Sequence, residues 1–251
     1  MQTLLDVQNL EKYYGNKGNI TKALDCLSFQ VGCGEFISIM GASGSGKTTL
    51  LNCVSTIDST SAGNIFLDGA DITKLREDEL AKFRRENLGF IFQDFNLLDT
   101  LTIGENISLS LTVNGVSPSE IVNRIDSISE QLGIAHILNK FPYEVSGGEK
   151  QRCACARAVI SNPKLILADE PTGSLDSVST VKLLEVLTDL NRTLNSTILM
   201  VTHDAFSASY GSRVLFLKDG KIFNEIIKGE KCRQTFYHEI LDVLSLLGGT
   251  A

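Results

Sequence analysis

One octapeptide near the start of the chain constrains its fold more than any other segment. Residues 41–48 read GASGSGKT, which fits the pattern G-x-x-x-x-G-K-[ST] of a loop that wraps phosphates. The preceding run, Phe36–Met40, is short and apolar and predicts a buried strand, while Thr49–Val54 predicts a helix. In that order, the loop backbone and the helix N-terminus point N–H groups at one anion. The octapeptide therefore predicts a phosphate-binding loop rather than an ordinary Gly/Ser turn.

Composition limits the remaining classes of protein. The 251 residues are 43% hydrophobic and 21% charged, which suits one α/β domain with a modest appendage or two small domains. The net charge of −7 argues against a nucleic-acid partner, which usually requires a basic face. No apolar run is long enough to span a membrane, and Met1–Asp6 lacks the features of a secretion signal. The six cysteines show no metal-site spacing, so most are expected to be reduced core thiols.

The hydrophobic patterns predict an α/β fold: a P-loop NTPase core with an antiparallel β-subdomain and an all-helical subdomain. Alternation over residues 4–10 and 23–31 predicts antiparallel strands ahead of the phosphate loop. We expect a nucleotide-binding domain over 1–228, with the helical subdomain inserted at about 100–160. An amphipathic helical tail follows over 229–251 and is expected to cover the domain's own core rather than bind a partner or a twin.

Polar residues at the ends of further strands supply the second half of a nucleotide site. Leu165–Asp169 is an apolar strand whose final carboxylate suits Mg²⁺, and Glu170 is placed to polarise a water. The strand before His203 puts an imidazole where it can bond a γ-phosphate or the attacking water. Gln93 ends another strand and can sense Mg²⁺ or water without acting as a base.

A second anion site is predicted at the start of a later helix. Ser146, Gly147 and Gly148 lie at that start, followed by Glu149. Helix N-termini of this composition bind anions, although a serine cap without a ligand is the common alternative. Because the chain already has one complete phosphate cradle, the spare site requires an explanation.

These motifs, in this order, resemble those of ATPase subunits of ABC transporters over about residues 3–228. The resemblance implies the ABC ATPase fold, and ATP and Mg²⁺ as cofactors. It assigns Tyr14 to adenine stacking, with Tyr13 as the alternative if the register slips by one. It also assigns Glu170 as the catalytic base and His203 as the switch histidine. The implied phosphate and metal contacts are Gly41, Ala42, Ser43, Gly44, Ser45, Gly46, Lys47, Thr48, Thr49, Gln93 and Asp169.

The same resemblance accounts for the spare anion site. It implies that two chains enclose two ATP molecules head to tail, so that Ser146–Glu149 of one chain grips the γ-phosphate held on the other. Asp176 matches the loop that couples the two sites. Glu149 departs from the glutamine often found after the two signature glycines.

A finer resemblance is to the bacitracin and lantibiotic-resistance (BceA-like) type within the MacB-like class. It rests on residues 36–52 and 88–100 and on the tail segment Arg233–Phe236. It implies a transmembrane permease partner, a peripheral position on the cytoplasmic face of the membrane, and an indirect link to a sensor kinase. Lipoprotein-release and cell-division ATPases share most of these motifs and remain an alternative.

Other classes of function fit less well. A soluble ABC ATPase acting on ribosomes or DNA usually has two cassettes, a coiled coil or a basic surface. A small-molecule kinase has no use for Ser146–Gly148, and a regulatory binder would lack Glu170 or His203. Apolar side chains at Phe95, Leu97, Leu98 and Leu101 predict either a docking groove for a permease helix or packing of the helical insertion.

Overall fold

The computed structural model describes residues 2–15 and 19–248, and residues 249–251 of the predicted tail lie outside them. Within these residues the chain forms ten strands and eight α-helices. The strands are β1 (Thr3–Tyr14), β2 (Thr21–Gly32), β3 (Phe36–Met40), β4 (Ala62–Leu67), β5 (Ala70–Asp71), β6 (Leu88–Phe92), β7 (Leu165–Asp169), β8 (Thr197–Thr202), β9 (Arg213–Lys218) and β10 (Lys221–Ile227). The helices are α1 (Lys47–Val54), α2 (Glu77–Asn87), α3 (Ile103–Val113), α4 (Pro118–Gln131), α5 (Gly147–Val159), α6 (Ser177–Leu194), α7 (Ala205–Ala208) and α8 (Arg233–Gly248).

The chain divides into two compact units, the first of which combines Met1–Leu80 with Thr197–Ala251. One sheet of this unit is antiparallel, with strand order β2-β1-β4-β5. In the other, β3 pairs in parallel with both β8 and β9, and β10 pairs antiparallel with β9. Strands β3 and β8 are buried at every position, as expected for parallel strands covered on both faces. The two apolar segments that the sequence predicts as buried strands are therefore core strands.

Helix α8 belongs to the core of the first unit. Phe236 and Ile240 are fully buried in one cluster with Met40 of β3 and Phe216 of β9. The Lys218 ammonium donates to the carbonyl of Leu247 at 3.4 Å, near the C-terminal end of the helix, where a positive charge is favourable. The buried face of α8 therefore packs on the core of the first unit.

The second unit comprises Ala81–Ser196 and contains the parallel pair β6 and β7 together with helices α3 to α6. Its helices begin where the sequence supplies caps. Pro118 occupies the first turn of α4 behind Ser117, and Asp176 caps α6 through Val178 N and Ser179 N. Helix α6 ends where Asn195 adopts the left-handed conformation that terminates many helices.

None of the helices in the described part of the chain combines the length and the apolar character needed to cross a lipid bilayer.

Candidate functional site

The phosphate loop joins β3 to α1, and its shape depends on glycines. Gly44 and Gly46 have φ of 80° and 104°, a region that side chains with a Cβ rarely adopt. A Cβ on Gly41 would lie 2.4 Å from the Leu217 carbonyl oxygen, so only glycine allows this close approach to β9. The turn after β9 supports the loop, because the Gly220 N–H donates to the Ser45 carbonyl at 3.1 Å.

The interior of this loop suits an anion. The Lys47 ammonium lies inside the loop, where it donates to the carbonyls of Gly41 at 2.9 Å and Ala42 at 3.0 Å. No side chain caps the N-terminus of α1 and no acidic residue lies in its first turn, so its positive end is not neutralised locally. The hydroxyl of Ser45 is buried without a hydrogen-bond partner, which leaves a donor available. Ala42, Ser43, Gly44 and Thr48 are exposed on the loop.

Tyr14 is tied to the helix that follows the phosphate loop. Its hydroxyl donates to Asp58 at 2.7 Å and also hydrogen-bonds to the Thr49 side chain. The Lys12 ammonium lies 5.0 Å from the ring centroid. Burial, followed by the hydrogen bond to Asp58, raises the pKa of the Tyr14 hydroxyl. Tyr13 instead hydrogen-bonds to Glu11.

His203 follows β8 at the same edge of the sheet as the phosphate loop. Met40, the last residue of β3, pairs with Thr202, the last residue of β8, so the next residue of each strand leaves from the same end. His203 is exposed. Asp204 then caps the short helix α7 by accepting from Ser207 N at 2.8 Å, which fixes the backbone directly after the histidine.

In the second unit, Gln93 and Glu170 also leave a shared sheet edge. Phe92 pairs with Asp169, and the next residues are Gln93 and Glu170. The Ser174 hydroxyl donates to the Gln93 carbonyl at 2.8 Å. Glu170 has a φ of 45°, a left-handed conformation that costs free energy in a non-glycine residue and is frequent at functional sites.

The second predicted anion site lies at the start of α5. Ser146 caps this helix and forms a reciprocal capping box with Glu149. A Cβ on Gly148 would lie 2.9 Å from the hydroxyl oxygen of Ser179, and that hydroxyl donates to Asp176 at 2.7 Å. Hydrogen bonds from Ser179 lower the pKa of the Asp176 carboxyl. The start of α5 and the loop that contains Asp176 therefore meet at Ser179.

Two residues that the sequence analysis missed join these loops. The buried Gln151 amide donates to the carbonyl of Phe92 at 3.1 Å and to that of Pro171 at 2.7 Å, while its own oxygen is buried without a partner. The Arg157 guanidinium donates to the carbonyl of Phe95 at 2.9 Å and to that of Asn96. Both Phe95 and Asn96 are left-handed, at φ of 61° and 50°. The only available signal was a polar residue on the helix face that also holds buried cysteines and alanines.

The predicted metal ligands fall in both units: Thr48 in the first, Gln93 and Asp169 in the second. Their side chains carry the oxygen donors that Mg²⁺ prefers. Among the described residues, Glu11, Asp25 and Cys26 also bring ligand atoms within 4.8 Å of one another. The Lys22 ammonium pairs with the carboxylates of Glu11 and Asp25, and the Lys221 ammonium also pairs with Asp25, so the two negative charges are compensated without an ion.

The cysteines differ from expectation. All six are free thiols, but only Cys53, Cys153 and Cys155 are buried, so the prediction that most are core thiols is wrong. Burial raises the pKa of Cys53 to about 11 and those of Cys153 and Cys155 to about 12. Cys26 lies exposed on a strand of the antiparallel sheet, and Cys232 lies exposed directly before α8.

The first unit contains the phosphate loop, and the second unit contains the capped starts of α5 and α6. Residues 24–173 match the ABC transporter family. The chain belongs to that family and is one of its ATP-binding subunits, an ATPase.

Individual relatives agree over nearly the whole chain. The chain is 55% identical to the ABC transporter ATP-binding protein YxdL of Bacillus subtilis (strain 168), covering 100% of this chain and 97% of the relative. It is 50% identical to the bacitracin export ATP-binding protein BceA of Halalkalibacterium halodurans, covering 98% and 97%. Among solved structures, it resembles the dimeric post-hydrolysis state of the ATP-binding cassette MJ0796 bound to ADP and Pi, with a TM-score of 0.81 and 38% identity over 89% of this chain and 98% of that one.

Proposed function

We propose that this chain hydrolyses ATP as a pair of identical subunits and thereby drives a membrane permease that protects the cell against antimicrobial peptides. The observation that supports it most is the phosphate loop, in which a buried lysine and an uncapped helix N-terminus converge. The relative named for bacitracin export supplies the finer part of the proposal.

The proposed chemistry is in-line attack of water on the γ-phosphate. Gly41–Thr49 hold the phosphates, Lys47 neutralises charge that develops on the β- and γ-phosphates, and Tyr14 stacks on adenine. Glu170 orients or deprotonates the water, and His203 bonds the γ-phosphate or the water. A Mg²⁺ ion held by Thr48 and Asp169, and sensed by Gln93, would stabilise phosphate charge.

The second anion site is proposed to act on the opposite copy. Ser146, Gly147 and Gly148 present a capped helix N-terminus that the chain's own phosphate loop does not need. We propose that they close over the γ-phosphate bound by the partner, and that Asp176 transmits the state of one site to the other. The cassette MJ0796 was solved as a dimer, which supports this arrangement. ATP is then a switch, because hydrolysis removes the phosphate that both copies grip.

A Glu170→Gln substitution tests this function. The variant should bind ATP, accumulate as a dimer and lose nearly all turnover, because the amide cannot accept the proton of the water. Nucleotide binding, light scattering and phosphate release measure the three properties. Glu185→Gln on α6 is a control for the loss of one carboxylate. Wild-type turnover by the purified Glu170→Gln protein would refute the role assigned to Glu170.

The segment after Gln93 is proposed as the permease docking surface. Leu98 is half exposed, although a loop in water does not need an apolar side chain there. The tip of the Phe95 ring lies 3.8 Å from the position that a Cβ on Gly147 would occupy. Leu97 and Leu101 are half-buried beside them. The segment could thus report the state of the signature loop to a helix of the permease at the cytoplasmic face of the membrane.

A Leu98→Ser substitution tests the docking surface. It should reduce co-purification with the permease while the ATPase activity of the isolated subunit survives. Val113→Ser, which also removes an exposed apolar side chain from the second unit, is the matched control. A Leu98→Ser protein that fails to fold would show instead that Leu98 packs the helical insertion.

The physiological role requires a cellular test. Deletion of the gene, together with that of its permease, should sensitise the cell to bacitracin or lantibiotics, and the wild-type gene should restore resistance where Glu170→Gln does not. A sensor kinase encoded nearby would fit this role. A neighbouring ten-span permease with a large extracellular domain supports it, whereas a four-span partner favours a lipoprotein-release or cell-division role. A role on ribosomes or DNA is the less favoured alternative, because the net charge is −7.

A further inference from the structure

Ser146 carries the only hydroxyl among Ser146, Gly147 and Gly148, and this hydroxyl already donates its proton to Glu149. The Ser146 hydroxyl donates to one carboxylate oxygen of Glu149 at 2.7 Å, and the Ser146 N–H donates to the same oxygen at 2.8 Å. The Ser146 oxygen in turn accepts weakly from Glu149 N at 3.4 Å. A serine has a single hydroxyl proton, so this one cannot be given to a phosphate at the same time.

The carboxylate also places negative charge where a phosphate would approach. Hydrogen bonds from the Ser146 hydroxyl, and then from its backbone N–H, lower the pKa of Glu149, so it is ionised at neutral pH. His136 lies 3.3 Å from the other carboxylate oxygen but is mostly exposed. The positive charge of Arg152, whose Nη1 lies 3.6 Å from the position of a Cβ on Gly148, offsets only part of the carboxylate charge, because Ser146 binds that carboxylate directly.

We infer that Glu149 acts as a brake on ATP-driven pairing: its carboxylate holds the Ser146 hydroxyl and repels the γ-phosphate brought by the other copy. The inference rests on the proposed function, because the γ-phosphate must come from the partner. To close the site, the Ser146 hydroxyl must turn from the carboxylate to the phosphate. The brake raises the ATP concentration needed for pairing and lets the pair reopen sooner after hydrolysis.

A glutamine at this position separates the brake from the cap. Glutamine completes a capping box as glutamate does, so the start of α5 keeps its N-terminal hydrogen bonds. An amide oxygen accepts the Ser146 hydroxyl less strongly than a carboxylate, because the hydrogen bond loses its charge. Glu149→Gln therefore weakens the grip on the hydroxyl and removes the repulsion while preserving the helix.

The structure offers a matched control at α3. There Thr102 and Glu105 form the same capping box, in which the Thr102 hydroxyl donates to Glu105 at 3.0 Å and the Thr102 N–H at 2.8 Å. Glu105 is exposed and its pKa is also lowered by these hydrogen bonds. Glu105→Gln thus removes the same charge from the same kind of cap without touching the anion site.

The experiment compares pairing of the full chain in a Glu170→Gln background. The parent, the Glu149→Gln double variant and the Glu105→Gln double variant are titrated with MgATP, and the dimer fraction is measured by sedimentation. We expect Glu149→Gln to lower the half-maximal ATP concentration about tenfold, the effect of roughly one removed unit of charge near a phosphate. Glu105→Gln should leave it within about twofold. The advantage of Glu149→Gln should shrink at 0.5 M salt, since the repulsion is screened.

Each outcome decides the inference. Equal or weaker pairing by the Glu149→Gln variant, with an unfolding midpoint matching that of the Glu105→Gln variant, would show that Glu149 only caps α5. If the Glu149→Gln double variant pairs while the parent does not, the result supports a stronger brake. If neither pairs, the proposed dimer itself is wrong and the brake falls with it, whereas a paired parent with no response to Glu149→Gln overturns the brake alone.

Discussion

Lys12 and Asp58 form an ion pair of 2.5 Å between two segments that lie 46 residues apart in sequence. The Lys12 side chain is only 9% exposed, and its ammonium also donates to the Ser59 carbonyl at 2.6 Å. The second carboxylate oxygen of Asp58 accepts from the Tyr14 hydroxyl. Asp58 thus links strand β1, and the ring proposed to stack on adenine, to the segment that follows α1.

Removing Asp58 should destabilise the protein more than removing both partners. Asp58→Ala leaves the nearly buried Lys12 ammonium without its carboxylate, which we expect to cost about 2 kcal/mol of unfolding free energy, less than a fully buried pair because Asp58 is partly exposed. Lys12→Met combined with Asp58→Ala should recover most of that loss, since no charge is stranded. Urea unfolding of the two single variants and the double variant measures the coupling. If the losses of unfolding free energy in the two single variants simply added in the double variant, Lys12 and Asp58 would not be coupled, and the stabilising role of their ion pair would be contradicted.

Tyr14 and Tyr13 should respond differently to truncation. Loss of a base-stacking aromatic costs about 1–3 kcal/mol, so Tyr14→Ala should weaken ATP binding by roughly tenfold or more. Tyr13→Ala removes an equal ring that hydrogen-bonds to Glu11 instead, and should change affinity by less than about twofold. Titration with a fluorescent ATP analogue distinguishes them. A larger effect at Tyr13 would move the register of the adenine contact by one residue.

Gln151 should matter to both stability and turnover. Gln151→Ala removes a donor from two carbonyls; that of Phe92 keeps a long hydrogen bond from the Phe95 N–H at 3.4 Å, whereas the loss at the buried Pro171 carbonyl should cost about 1–3 kcal/mol. Because these carbonyls lie one residue before Gln93 and one residue after Glu170, we expect turnover to fall as well. Thermal unfolding and phosphate release report the two effects. Gln131→Ala, an exposed glutamine on α4, should change neither, and equal behaviour of the two variants would remove the role given to Gln151.

Among the described cysteines whose pKa is shifted, Cys232 should have the most reactive thiol. The hydrogen bond from the Thr235 side chain, with backbone donors at the start of α8, lowers the pKa of Cys232, whereas the hydrogen bond to Glu11 raises that of Cys26. The thiolate is the reactive form, so as pH rises Cys232 reaches it before Cys26. Peptide mapping after brief iodoacetamide treatment near pH 7.5 should find Cys232 labelled first, and Cys232→Ser should leave only slow labelling. Faster labelling of Cys26 would reverse this order.

Local patterns predict much of this fold, because each signal lies next to the element it controls. The phosphate loop follows directly from its octapeptide, and α1 begins inside it at Lys47. The residues that directly follow two paired parallel strands leave from the same sheet edge, and this placement follows from the order of the strands alone.

Contacts between distant segments could not be predicted in this way. Gln151 reaches carbonyls 59 and 20 residues away, and no periodicity marks it as different from its neighbours on α5. The left-handed backbones of Phe95 and Glu170 oppose local preference and exist only because surrounding contacts hold them. The ion pair between Lys12 and Asp58 also joins segments that are far apart in sequence.

The packing of Phe236 and Ile240 against Met40 bears on how the gene can be shortened or fused. A product that stopped after β10 would lose the side chains that α8 supplies to the cluster around Met40, the residue immediately ahead of the phosphate loop. Such a truncation would weaken nucleotide binding from a distance and mimic a catalytic defect. A reporter appended beyond residue 248 would instead leave this apolar contact intact.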